Sequence, residues 1–246
     1  PMYNRNKRSI ALDLKNPKGR DVALQLIQSA DIVLENFRTG TMANLGLDYD
    51  SLKATHPSLI YCSLKGFLSG PYENRVALDE VTQMMGGLAY MTGLPERPLR
   101  AGSSVIDITG GMFGVIAILS ALHRRRETGE GSHVTSALFE TTAFLVGQHM
   151  AQQAVSGEPP PPMSVRQSAW AVYDIFELDS GERLFVGIVS DTLWQRFCEE
   201  FSLTDWASDQ TLTSNADRVA ARETLLPAIK ALFGPMTLDP LSERLA

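Results

Sequence analysis

Ser103-Ser104-Val105-Ile106-Asp107-Ile108-Thr109-Gly110-Gly111-Met112-Phe113-Gly114 places one carboxylate at the start of an apolar segment whose first turns hold three glycines. The segment continues as Val115-Ile116-Ala117-Ile118-Leu119-Ser120-Ala121-Leu122 and ends in His123-Arg124-Arg125-Arg126. An acid at the positive end and cations at the negative end suit the helix macrodipole, so one long helix is expected. Gly110, Gly111 and Gly114 oppose it, each by up to about 1 kcal/mol against alanine. Glycines kept against that cost point to something approaching the backbone closely.

Working outward, apolar runs alternate with helical patterns. Residues 9–14 alternate like a strand, residues 20–29 read as a helix, and residues 31–36 as a short buried strand. Short helices at 41–45 and 49–55 precede a strand at 59–64, and residues 80–90 read as one helix. After the Asp107 helix come a strand at 134–138 and a helix to about residue 155. Such alternation predicts an α/β fold with a Rossmann-like parallel sheet, whose ligands bind beyond the carboxyl ends of the strands. Asn36-Phe37, Lys65-Gly66-Phe67 and the Asp107 region would then converge on one crevice. Ser156-Gly157-Glu158-Pro159-Pro160-Pro161-Pro162 reads as a stiff, extended linker. Beyond it, residues 171–177 and 182–188 read as a hairpin around Asp179-Ser180-Gly181, followed by helices. The expected organisation is a large domain over 1–156, a Pro-rich linker over 157–170 and a smaller α+β domain over 171–246.

At 246 residues and 44% hydrophobic content the chain can bury a substantial core. A net charge of -6 argues against a general nucleic-acid binder. Cys62 and Cys198 form no CxxC pair, so a reducing, cytoplasmic setting is expected. The longest uninterrupted apolar run, residues 115–122, is too short to span a membrane. No N-terminal stretch reads as a signal peptide. The opening Pro1 and the unterminated helical pattern of residues 241–246 suggest a fragment lacking sequence at both ends.

Asp107 has two readings. One is a plain N-cap acid. The other is a nucleophile whose pKa the helix start lowers, with backbone N–H groups beside the glycines stabilising the oxyanion formed on a thioester. Arg5, Lys7 and Arg8 form a basic cluster, either a solvated face or a contact for phosphates. Phe37 offers either a flat surface for an adenine ring or a core side chain. His56, His123, His133 and His149 form no HxxxH or HxH pair, so no metal site is expected. No GxSxG elbow is present.

Together these segments resemble the class III CoA-transferase family, which includes formyl-CoA and carnitine CoA-transferases and acyl-CoA racemases. The matching residues are Asn4-Arg5-Asn6-Lys7-Arg8-Ser9-Ile10-Ala11-Leu12-Asp13-Leu14 and Ala30-Asp31-Ile32-Val33-Leu34-Glu35-Asn36-Phe37. Gly46-Leu47, Pro57-Ser58-Leu59-Ile60-Tyr61, Gly66-Phe67, Gln83-Met84-Met85-Gly86-Gly87, Thr92-Gly93, the Asp107 helix and Arg126-Glu127-Thr128-Gly129-Glu130-Gly131 follow in order.

The resemblance implies that Asp107 attacks an acyl-CoA donor and that a small carboxylic acid finally collects the CoA, with coenzyme A as substrate and no tightly bound cofactor or metal. It implies CoA contacts at Lys7, Arg8, Asn36 and Phe37, with Gly110 and Gly111 leaving the backbone approachable. Asp79 aligns with a carboxylate beside the family's active site. In the racemase branch a histidine precedes that carboxylate; here Leu78 stands there, which favours transfer over racemisation. The alternatives are an acyl-CoA racemase and a non-catalytic CoA-binding subunit. The resemblance further implies an interlaced homodimer, a fold whose first strand–helix unit is missing here, and a lid at residues 163–170 that differs from the glycine-rich loop of some relatives.

Overall fold

Two short apolar runs and one mixed run, Ser132–Ala137, become the strands of a parallel sheet in the computed structural model, which describes residues 2–165 and 168–245. The chain divides into two units, Pro1–Arg166 and Gln167–Ala246. Arg166 and Gln167, within the expected linker and lid, lie outside the described residues, as do Pro1 and Ala246.

The first unit runs α1 (Pro17–Gln28), β1 (Ile32–Glu35), α2 (Thr41–Asn44), α3 (Tyr49–Leu52), β2 (Ile60–Lys65), α4 (Asp79–Met85) and α5 (Leu88–Thr92). It continues with α6 (Val105–Thr128), β3 (Ser132–Ala137) and α7 (Leu138–Ser156). The sheet order is β1-β2-β3, with Ile32 opposite Ile60 and Ile60 opposite Ser132. Central β2 is buried from Ile60 through Ser63, as expected of a strand covered on both faces. On one face Leu52, Leu59 and Tyr61 pack with Leu24, Ile27, Val33, Met42 and Tyr49. On the other lies α6, where Gly114 faces Leu64 and Cys62. Asn16 caps α1 by accepting from the Lys18 N–H, with Pro17 in the first turn.

Three expectations need correction. Residues 9–14 pair with no strand among the described residues, and Ile10 is exposed. Alternation makes a strand only where a ladder partner exists. The helix expected over 80–90 breaks into α4 and α5, because Gly87 adopts φ 87° and ends the α-helical path. Finally, the uninterrupted apolar run of residues 115–122 is only part of a longer apolar helix. The 24 residues of α6, taken whole, are long and apolar enough to cross a membrane by length and composition. In the fold α6 lies along the sheet, and Arg125 near its end pairs with Asp31 at 3.0 Å.

The Pro-rich run is not a free spacer. Pro160 and Pro162 are buried, and the N–H of Met163 donates to the Met91 carbonyl at 2.8 Å.

The second unit pairs β4 (Tyr173–Glu177) and β5 (Arg183–Gly187) antiparallel, with Gly181 at φ 84° in the turn. Among the described residues the helices α8 (Asp191–Glu200), α9 (Thr204–Ser208), α10 (Asn215–Ala220), α11 (Arg222–Phe233) and α12 (Leu238–Leu245) follow. Its core gathers Phe176, Trp194, Phe197, Ile229, Phe233 and Leu241. Buried Arg218 pairs with Asp191 and donates to the carbonyls of Leu212 and Thr213, which satisfies its charge.

Candidate active site

The first turn of any α-helix leaves backbone N–H groups without helical partners. In α6 the residue at the N-cap position, Ser104, makes no side-chain cap bond. The cap arrives from another helix. Asp79 Oδ2 accepts from the N–H groups of Ile106 (2.8 Å) and Asp107 (3.1 Å). Asp79 Oδ1 accepts from Gln83 Nε2 at 2.6 Å, and Gln83 Oε1 accepts from the Ala101 N–H at 2.8 Å. Asp79 and Gln83 are both buried. This overturns the reading of Asp107 as an N-cap acid: among the described residues its carboxylate accepts no hydrogen bond. Asp79, which the resemblance sets beside the active site, holds the helix start with its carboxylate.

The same geometry corrects the expected oxyanion donors. The N–H groups of Val105 and Ile108 bond the carbonyls of Ser103 and Ser104, and those of Ile106 and Asp107 are taken by Asp79. No first-turn N–H of α6 is left for a substrate. The expected lowering of the Asp107 pKa fails for a related reason. Partial burial, then the charge of Asp79, push it above the ordinary value, with Arg100 opposing. The anion that caps the helix offsets the positive pole that would have stabilised Asp107.

Asp107 opens onto two cavities. One, of about 570 Å³, brings Asp107 together with Asn36, Lys65, Leu78, Asp79 and Arg100, and with the backbone of Gly110 and Gly111. The other, of about 920 Å³, is more apolar and sets Lys7 beside Asp107, Ile108, Met112 and Val115. Of the residues singled out in the sequence, Arg8 and Phe37 line neither cavity. Leu78 lines the first cavity and carries no group able to move a proton.

The glycines divide by role. A Cβ at Gly111 would meet nothing within 4 Å, so this position leaves the backbone open to the cavity. A Cβ at Gly114 would come within 2.8 Å of Leu64 Cδ2, and one at Gly110 within 3.2 Å of Leu138 Cδ2. Gly114 therefore owes its place to helix–sheet packing. Gly110 combines such packing with a carbonyl that accepts from Ser136 Oγ at 2.8 Å.

At the carboxyl ends of β1 and β2, buried Glu35 meets Lys65 Nζ at 2.7 Å. Lys65 also donates to the Phe37 carbonyl at 2.7 Å, and the Phe37 N–H donates to Glu35 Oε2 at 2.8 Å. This clamp sets the turn that carries Asn36 into the cavity. Replacing Lys65 with methionine is expected to leave Glu35 charged and unpaired, lowering stability by about 3 kcal/mol. A urea midpoint unchanged from the parent would refute that.

Lys65 is expected at the crevice only as part of its segment, Glu35 and Gln83 stand inside matching motifs without a role, and Arg100 carries no local signal. Their partners lie in other elements, so only the fold assembles them.

The whole chain, residues 1–246, matches the model of CoA-transferase family III. It is similar to the succinate–glutarate CoA-transferase of Agrobacterium fabrum, 35% identical over 219 residues that cover 88% of this chain and 54% of that protein. It is also similar to the acetyl-CoA:oxalate CoA-transferase of Acetobacter aceti, 32% identical over 230 residues, 92% of this chain and 59% of that protein. The crystal structure of a CaiB/BaiF family protein from Brucella suis superposes with a TM-score of 0.82 at 34% identity, covering 98% of this chain and 64% of that one. The chain spans little more than half the length of the two transferases it matches.

Proposed function

The chain belongs to CoA-transferase family III, and on that premise we propose that the protein moves CoA from an acyl-CoA thioester to a small carboxylic acid through a covalent intermediate on Asp107. The observation that carries this reading is a carboxylate at a helix start capped by a different acid, open to two cavities and bound by no described residue. A carboxylate stripped of part of its hydration and free of hydrogen-bond donors is a better nucleophile than a capping one.

In the proposed cycle an Asp107 oxygen attacks the thioester carbonyl carbon. The C–S bond breaks, and CoA leaves as the thiolate from a mixed anhydride. The thiolate attacks the aspartyl carbonyl, the donor acid departs as a carboxylate, and an aspartyl-CoA thioester remains. The acceptor carboxylate then attacks that thioester, releasing the thiolate and forming a second anhydride. Attack of the thiolate on the acceptor's carbonyl gives the new acyl-CoA and returns Asp107 to its carboxylate. Atoms and charge balance without a redox step, and the reading includes no tightly bound cofactor or metal.

The transferases named above act, by their names, on succinate, glutarate and oxalate, which supports a carboxylic acid as acceptor. Racemisation is not favoured, since Leu78 occupies the position where a second proton-transfer group would be needed. A homodimer belongs to the same proposal, supported by exposed apolar side chains along α6 and α7, among them Met112, Val115, Leu119 and Phe144. So do a cytoplasmic setting and the absence of nucleic-acid and membrane partners.

The test is to mix the protein with an acyl-CoA donor alone, quench with hydroxylamine and map the product by mass spectrometry. A hydroxamate at Asp107 is expected. An adduct at another residue, or CoA binding with no adduct, overturns the proposal and in the second case favours a non-catalytic CoA-binding subunit.

A further inference from the structure

We propose that Arg100 determines acceptor specificity by gripping a second carboxylate of the acceptor, so that the preferred acceptor is a dicarboxylic acid; this rests on Asp107 being the acyl carrier. Arg100 lies in the loop between α5 and α6, and its side chain lines the same cavity as Asp107. A guanidinium offers five N–H donors in a planar fork matched to a carboxylate. Here Nε donates to the Ala101 carbonyl at 3.2 Å. The two terminal nitrogens approach carboxylates only distantly, Nη2 to Asp79 Oδ1 and Nη1 to Glu80 Oε2, both at 3.8 Å. Those separations are too long for hydrogen bonds.

Neither neighbour is placed to close that gap. The oxygens of Asp79 are already occupied by Gln83, Ile106 and Asp107. Glu80 is exposed and able to turn to solvent. The fork is therefore charged, placed in the cavity and unsaturated. Lys65, the other cation lining this cavity, is spent on Glu35 and the Phe37 carbonyl. Among the described residues that line this cavity, Arg100 is the cation with donors to spare.

Two arguments assign it to the non-reacting carboxylate. A carboxylate held in a bidentate guanidinium pair gives up nucleophilicity, so the reacting group gains nothing from Arg100. A second carboxylate stays ionised throughout and can be paired fully. Timing points the same way. While Asp107 is held as its CoA thioester its charge is gone, and Arg100 is least compensated at the stage when the acceptor must enter.

The experiment measures acceptor kinetics with length-matched pairs, succinate against butyrate and glutarate against valerate, for the parent, Arg100→Gln and Arg100→Lys. The parent is expected to favour the diacid in each pair. Arg100→Gln should lower kcat/KM for diacids by about 100-fold, chiefly through KM, so that the diacid-to-monoacid ratio collapses. Arg100→Lys should recover part of that ratio, since it restores the charge without the fork. Equal loss toward both acid classes overturns the proposal, as does a parent that favours monoacids. A raised KM for the acyl-CoA donor with an unchanged ratio overturns it too, placing Arg100 on CoA. The donor-only Asp107 adduct is measured alongside. Its absence in the parent removes the acyl-carrier reading and this proposal together, whereas its presence without diacid preference removes this proposal alone.

Discussion

Replacing Asp107 with asparagine is expected to lower kcat by at least about 10⁴-fold while leaving the fold intact, because the amide cannot form the anhydride or thioester of the proposed cycle. That loss corresponds to about 5.5 kcal/mol of transition-state stabilisation. The same substitution should not weaken the fold, since the carboxylate accepts no hydrogen bond from the described residues. Its pKa is raised above the ordinary 3.8 by partial burial and by Asp79. The folded state therefore holds this proton more tightly than the unfolded chain. Parent stability from this group falls as pH rises from the ordinary carboxylate range through the raised value, and stays lower above it. Asp107→Asn lacks that fall, so its thermal midpoint relative to the parent should rise between acidic and neutral pH. Thermal melts at both pH values, with steady-state kinetics, check both halves. Activity within tenfold of the parent would remove Asp107 from the chemistry.

The second large effect belongs to Asp79. Asp79→Ala leaves the N–H groups of Ile106 and Asp107 and the Gln83 amide without their acceptor in buried surroundings. Lost caps and unsatisfied donors together are expected to lower stability by about 3 kcal/mol. Displacement of the helix start should reduce kcat by about 100-fold, since small misplacements of a reacting group are costly. Asp79→Asn separates position from charge. It keeps one acceptor oxygen and much of the stability, but it removes the negative charge that raises the Asp107 pKa. The acid limb of the kcat/KM profile should then move to lower pH, because Asp107 stays ionised further into acid. A limb that stays in place in Asp79→Asn would show that the two carboxylates are not electrostatically coupled.

Much of this unit was legible in the chain because its signals are local. The runs that became β1 and β2 are largely apolar over four to six residues, β3 mixes polar and apolar side chains, and all three lie between helical patterns. That combination specifies a covered parallel sheet. The acid and terminal arginines of α6 mark its ends within one turn each. Residues 9–14 show the limit of such reading. Their alternation is a property of six residues, whereas a strand is a property of two segments.

The site was less legible, for a reason visible in Asp79 and Asp107. From the sequence, Asp107 stands at a helix start as either its cap or a nucleophile, and Asp79, 28 residues away, is set beside the active site by the resemblance alone, with no sign that it caps a helix. Packing of α4 against α6 exchanges those roles. Asp79 becomes the cap, which frees Asp107 and reverses the direction of its pKa shift. The glycines were visible as an anomaly, yet the division between Gly111 facing the cavity and Gly114 facing Leu64 needed the sheet in place. Arg100 carries no pattern of its own and acquires meaning only from the two carboxylates it fails to reach. The sequence by itself determined most helices and strands, though not the unpaired residues 9–14 or the break at Gly87, and which acid begins the long helix, since those follow from propensity and periodicity along the chain. Tertiary structure alone decided which groups are satisfied and which are left free to react, because hydrogen-bond partners and charges act through space between residues the chain keeps far apart.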